Sequence, residues 1–143
     1  MDYTSNTHPL QKRDGDAGFD LAVNNVGGVS IEPHETALVG TGVSVSIPAG
    51  HVGMVVSRSS MAREGLVVAN SPGIIDANYR GEVGVLLHNR NDYGAELDHG
   101  DRIAQLLILP LADVTAVRVA ELDMDTERGD GGFGSTGLKV VAA

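Results

Sequence analysis

At 143 residues the chain suits one domain and is too short for two. Hydrophobic residues make up 42% and aromatics only 3%, with no Trp, so a core is available but must be built from Val, Ile, Leu and Ala. The absence of cysteine excludes a disulfide framework and thiolate chemistry and fits a reducing cytoplasm, while a net charge of −9 argues against a general nucleic-acid binder, which shows a basic face.

The polar opening stretch "MDYTSNTHPLQKRDGDAG" has little periodicity and is expected to run over the surface. It has no features of a signal peptide or anchor, and no apolar run in the chain is long enough to span a membrane. From residue 29 the pattern becomes strand-like. "VSIEP" is followed by "TALVGTGVSVSIP", where Val43, Val45 and Ile47 alternate with Ser44 and Ser46, the period of a strand with one face buried. A turn over Pro48–Gly50 leads into a buried strand, "HVGMVVS". "RSSMAREG" is polar and short, predicting one helical turn with a Ser cap and a terminal Gly. "LVVAN", "EVGVLLHN", "RIAQLLILP" and "VTAVRVAEL" read as further strands, separated by turn chemistry in "SPG", "DANYRG", "NDYG" and "DHGD". "GIIDANYRGEVGV" reads as a hairpin.

No 3.6-residue stripe is sustained beyond about two turns. The prediction is therefore an all-β domain of many short strands, a sandwich, jelly roll or barrel, with one short helix. A single domain covers residues 1–143, with the β core over about 1–122 and a Gly-rich tail over 123–143.

Several stretches carry chemistry. Asp76 at its bend could order a water as general base, although Asp76 and Asn78 also suit a turn by themselves. Arg58, Ser59 and Ser60 directly after a strand offer hydroxyls, backbone N–H groups and a guanidinium to an anion. Asp16 and Asp20 in "DAGFDL" could serve Mg²⁺ through water, or mark a turn. Gln105 interrupts an apolar strand and needs a partner if buried. The five histidines are scattered, and no pair has metal-ligand spacing on a helix face. In the tail, "RGDGGFGSTG" reads either as a disordered end or as a mobile flap. In the flap, glycines bring backbone N–H groups onto phosphate oxygens, Arg128 adds charge and Phe133 lies over a flat ring.

Taken in order, "AGFDL", "SRSSMA", "GIIDANYRG", "GDRIAQL" and "RGDGGFGSTG" resemble the five motifs of the trimeric deoxyuridine triphosphatases (dUTPases). The likeness runs from about residue 16 to residue 137, and "NSPGIIDANYRGE" looks most like actinobacterial versions or those of their phages. The resemblance implies a β jelly roll assembled as a homotrimer. It implies Mg²⁺-dependent hydrolysis of dUTP to dUMP and pyrophosphate, which limits uracil in DNA and supplies dUMP for thymidylate synthesis, at sites shared between chains.

By the same resemblance Asp76 activates the water and Tyr79 packs on the deoxyribose, excluding a 2′-hydroxyl. Asn70 and the backbone of Gly73, Ile74 and Ile75 read the uracil edge. Arg58, Ser59, Ser60 and Gln105 match the phosphate site, with Ser59 and Gln105 also counted as catalytic, and Asp20 lies near the hydrated metal. Arg128, Phe133, Gly134, Ser135 and Thr136 match the closing tail. No nucleic acid or membrane partner is implied, and the setting is cytoplasmic. Phe19, Ser57 and Ser60 depart from common family residues. "RSSMAREG" also resembles the dCTP deaminases of the same fold, which makes a deaminase or bifunctional enzyme the runner-up. Those enzymes carry a catalytic Glu on the strand after the bend, where this chain has Leu86. A regulatory binding protein on the same scaffold is the alternative from another class.

Overall fold

The computed structural model describes residues 1–132. Two units divide the chain, Met1–Asp113 and Val114–Ala143. In the first, the strands are β1 (Asp2–Ser5), β2 (Phe19–Ala22), β3 (Val29–Ile31), β4 (Thr36–Val39), β5 (Val43–Ser46) and β6 (His51–Ser57). After them come the helix α1 (Ser59–Arg63), then β7 (Leu66–Val68), β8 (Gly73–Ile75), β9 (Val85–Asn89), β10 (Ala95–Leu97) and β11 (Arg102–Pro110). All pairings are antiparallel, in sheets ordered β2-β11-β6-β8, β4-β9-β7, β10-β3 and β1-β5.

The expected alternation holds along β5: Val43, Val45 and Ile47 are buried while Ser44 and Ser46 lie nearer the surface. These valines join Leu21, Val23, Ile31, Val39, Val55, Val83, Leu87, Ile103 and Leu106 in one aliphatic core. The lack of large aromatic side chains is met by many interdigitating branched ones, which suit strands. Buried polar groups are matched within this core. Asn89 donates to the carbonyls of Ile31 at 3.0 Å and Tyr93 at 2.8 Å and accepts from the Asn91 amide at 3.0 Å. Thr41 donates to the Val83 carbonyl at 2.6 Å. Asn89→Ala removes one group and strands several, so we expect a loss of about 2–3 kcal/mol, read as a lower urea midpoint with an unchanged slope.

Four features differ from the sequence expectation. The opening stretch holds β1, which pairs with β5 (Tyr3 opposite Val45); "DYTS" is too short and polar to announce itself by alternation. The helical turn is present, but its N-cap is Arg58, with no side-chain cap bond, so Ser59 is its first residue and not the cap. "GIIDANYRGEVGV" is a corner and not a hairpin: β8 pairs with β6, while β9 pairs with β4 and β7. Finally, "VTAVRVAEL" forms no strand, and among the described residues the last one ends at Pro110. Alternation states which side chains could share a face, but a strand also needs a free edge to pair with.

Within the second unit, residues 114–125 are mostly without regular structure and residues 126–130 turn, with amide bonds from Gly129 to the Thr126 carbonyl and from Gly131 to that of Arg128. Among the described residues no helix is long and apolar enough to cross a membrane.

Candidate active site

The candidate residues fall into two depressions that have no lining residue in common. The first, about 280 Å³, is lined by Arg13, Asp16, Ala17, Gly18, Asp20, Arg58, Ser59, Ser60, Arg102 and Gln105. Its floor lies on one row of a sheet: Asp20 on β2 stands opposite Gln105 on β11, and the row continues past the depression to Val56 on β6. All three are half-buried, whereas their strand neighbours Leu21, Ala104, Leu106 and Val55 point into the core.

A bulge in β11 enlarges this row. The register shifts between Arg102 and Ala104, and Ile103 and Ala104 are both fully buried. One extra inward residue reverses the alternation, so Arg102 emerges on the same face as Gln105. In a regular strand, a spacing of three would put them on opposite faces.

Asp20 is clamped by two guanidinium groups. Arg58 Nε lies 3.0 Å from Oδ1 and Arg102 Nη1 3.0 Å from Oδ2. Arg58 also donates to the Arg102 carbonyl at 3.0 Å, which fixes its orientation. Gln105 finds the partner its position demands, donating to the Ser57 carbonyl at 3.4 Å. Gly18 lies against it: a Cβ there would come within 3.2 Å of Gln105 Oε1. Asp16 accepts from the Arg13 amide at 3.2 Å, so it closes a turn, as one of its two expected roles. Ser59 and Ser60 are exposed on the first turn of α1. The pocket thus holds three arginines and two aspartates, a setting that favours an anion.

The pocket offers Mg²⁺ few direct ligands. Among the described residues no three acidic or histidine side chains converge, and both oxygens of Asp20 are already engaged by arginine. The described residues of one chain therefore form no all-protein cage. This fits an ion that keeps its waters and takes its remaining ligands from bound phosphates, as Mg²⁺ commonly does.

The second depression, about 340 Å³, is lined by Leu38, Asn70, Ile74, Ile75, Asp76, Tyr79, Glu82, Gly84 and Leu86. It forms where β8 leaves one sheet and β9 enters another. The corner is locked by its own backbone: the Tyr79 amide donates to the Asp76 carbonyl at 3.0 Å. Arg80 donates to the carbonyls of Ala77 at 2.8 Å and Tyr79 at 2.6 Å. Asp76 is exposed, and the Tyr79 hydroxyl donates to the Glu82 carbonyl at 2.9 Å. Asn70, just before a cis Ser71–Pro72 bond, lies beside Gly73. Leu38, Ile74 and Leu86 supply an exposed apolar wall. The position where a deaminase would need its acid is therefore an apolar lining residue.

Strand β6 separates the two depressions. Ile75 pairs with Gly53 near the start of β6, and Arg58 follows its end at Ser57. At about 3.3 Å per residue the strand puts about 20 Å between Asp76 and Arg58. Arg128 belongs to the second unit, where its Nε donates to the Gly131 carbonyl at 2.8 Å. Phe133, Gly134, Ser135 and Thr136 lie outside the described residues.

The sequence expectation omitted Arg13 and Arg102 as site residues. Arg102 was hidden by the bulge, which carries no glycine or proline to signal it. Arg13 lies in a turn, where a lone arginine is unremarkable.

Fold and pockets together define a β jelly-roll protein with an arginine-rich anion pocket and an Asp–Tyr corner at opposite ends of one strand. The sequence matches the dUTPase family over residues 4–137, and the chain belongs to that family. It is 46% identical over 135 residues to a deoxyuridine 5′-triphosphate nucleotidohydrolase of Cutibacterium acnes, covering 93% of this chain and 87% of that protein. It is 47% identical to that of Mycobacterium leprae, covering 90% and 86%. Among solved structures it is similar to the Staphylococcus bacteriophage 80alpha dUTPase with dUPNHPP, at TM-score 0.86 and 31% identity, covering 96% of this chain and 98% of that one. The EIAV dUTPase is similar at TM-score 0.72 and 34% identity, covering 83% and 95%.

Proposed function

We propose that this chain hydrolyses dUTP to dUMP and pyrophosphate, as a homotrimer whose sites each draw on more than one chain. One observation carries the assembly: the arginine pocket and the Asp76–Tyr79 corner lie about 20 Å apart along β6. No group can bridge that span to act on one phosphorus. Bringing the corner of one chain against the pocket of another closes the gap and covers the apolar wall of Leu38, Ile74 and Leu86. A particle of about three times the chain's 14.8 kDa with closed cyclic symmetry follows.

In this reading Asp76 accepts the proton of a water that attacks the α-phosphorus in line. Tyr79 stacks on the sugar and rejects a 2′-hydroxyl, while Asn70 and the backbone of Gly73–Ile75 meet the uracil edge. Arg58, Ser59, Ser60 and Gln105 of another chain hold the phosphates, with Ser59 and Gln105 nearest the reacting group. Asp20 orients Arg58 and Arg102 and would accept from the water of a bound Mg²⁺. The ion, when bound, offsets charge on the triphosphate and its pyrophosphate leaving group. Arg128, Phe133, Gly134, Ser135 and Thr136 close over the nucleotide and exclude other water. We place the reaction in the cytoplasm, where it limits uracil in DNA and supplies dUMP for thymidylate synthesis.

The test is an incubation with dUTP, dCTP, UTP or dTTP and Mg²⁺, with the products identified. The expected result is dUMP and pyrophosphate from dUTP, with the other nucleotides spared. A deaminated product from dCTP would overturn it in favour of the deaminase reading, which Leu86 opposes.

Deleting residues 127–143 is expected to leave a folded protein, because among the described residues every strand lies at or before Pro110. Activity should fall steeply, by more than the loss of any one contact of the tail, since lid and phosphate grip leave together. Phe133→Ala should cost less, about 1–3 kcal/mol, the worth of one base–aromatic stack. Full activity in the truncated chain would remove the tail from the site.

A further inference from the structure

The Tyr79 ring does not stand free at the corner. It folds back over Gly81, so that a Cβ placed on Gly81 would lie 2.6 Å from Tyr79 Cζ and closer still to the hydroxyl. The ring therefore occupies the space where any other residue would carry its side chain. Its far end is tied by the 2.9 Å hydroxyl bond to the Glu82 carbonyl. Glu82 is itself anchored, its Oε1 accepting from the Gly42 amide at 2.8 Å. Gly81 is not in the left-handed region, so its backbone would admit alanine without strain. What demands glycine at this position is the ring.

We infer that Gly81 and the Glu82 carbonyl are the positioning elements that set the Tyr79 ring as the wall discriminating deoxyribose from ribose. This rests on the proposed reading of Tyr79 as the sugar-facing ring and extends it to residues that touch no substrate. A seat beneath the ring and a tether at its tip leave it one orientation. A methyl group at residue 81 lifts the ring off its seat and lengthens or breaks the tether. The corner backbone stays held by the Arg80 bonds to Ala77 and Tyr79. Selectivity should then suffer more than turnover.

The experiment measures kcat/KM for dUTP and for UTP on the full chain with Mg²⁺. In Gly81→Ala the dUTP-to-UTP ratio is expected to fall by about tenfold or more, the scale on which shape alone discriminates, with kcat for dUTP changing less. In a Tyr79→Ala background, Gly81→Ala should change the ratio no further, because its effect runs through the ring. With three tyrosines and no Trp in the chain, the ring resonances of Tyr79 can be followed by NMR. They should move in Gly81→Ala while those of Tyr3 and Tyr93 stay. Should Gly81→Ala not fold, Tyr79→Phe keeps the ring and removes the tether, and a smaller fall in the ratio is expected. An unchanged ratio in a folded Gly81→Ala, or a further fall in the Tyr79→Ala background, overturns the inference while leaving dUTP hydrolysis intact. An unchanged ratio in Tyr79→Phe does the same. A wild type that does not prefer dUTP to UTP overturns the reading of Tyr79 and this inference together.

Discussion

Asp76→Asn is expected to bind dUTP nearly as well as the wild type and to turn it over about 10²–10⁴ times more slowly, the usual worth of a general base. The amide keeps the size and shape of the carboxylate and can still meet the sugar. What it lacks is a basic oxygen for the proton of the attacking water. The corner should survive the change, because the backbone at Asp76 is held by its carbonyl bond to the Tyr79 amide and by Arg80. The side chain is exposed, so no buried partner is stranded. Single-turnover kinetics separate the two effects: KM or analogue affinity close to wild type, with the chemical step slowed. Near-normal turnover would remove Asp76 from the mechanism.

A second large effect follows from the strand that separates the half-sites. Arg58→Ala should nearly silence the protein, because it removes the proposed phosphate ligand and frees one oxygen of Asp20. Combining Arg58→Ala chains with Asp76→Asn chains should restore activity. If each site takes Asp76 from one chain and Arg58 from another, random mixing in equal amounts leaves about one quarter of the sites with both residues intact. Co-expression, purification of the mixed assemblies and a dUTP assay are therefore expected to give about a quarter of the wild-type rate per site from two nearly inactive parents. If each site drew both residues from one chain, every site would carry a defect and the mixture would stay silent.

The all-β architecture was legible because alternation along Val43–Ile47 and the apolar runs of β6, β9 and β11 report burial directly. A motif order named Asp20, Arg58, Ser59, Ser60 and Gln105 in one depression and Asn70, Ile74, Ile75, Asp76 and Tyr79 in the other, but not Arg13 or Arg102. Their distribution was not legible. Nothing in "GIIDANYRGEVGV" says that its two halves join different sheets, since pairing partners are set by the whole chain. The same limit explains "VTAVRVAEL", whose alternation is sound but whose described backbone is unpaired. Arg102 illustrates a third kind of loss. Its three-residue spacing from Gln105 argues against a common face, and only the bulge brings them together.

That bulge has a consequence for which changes β11 tolerates. Ile103 and Ala104 point inward in succession, so the segment holds one inward residue more than a regular strand. A conservative replacement of Ile103 by Val trims one methylene from the core and leaves both faces in place. Removal of that single residue straightens the strand, and Arg102, now two residues from Gln105, keeps its place on the Asp20 face. The loss falls on the interior, which forfeits the whole Ile103 side chain. Deletion of Ile103 should therefore harm stability far more than Ile103→Val while leaving the pocket face intact.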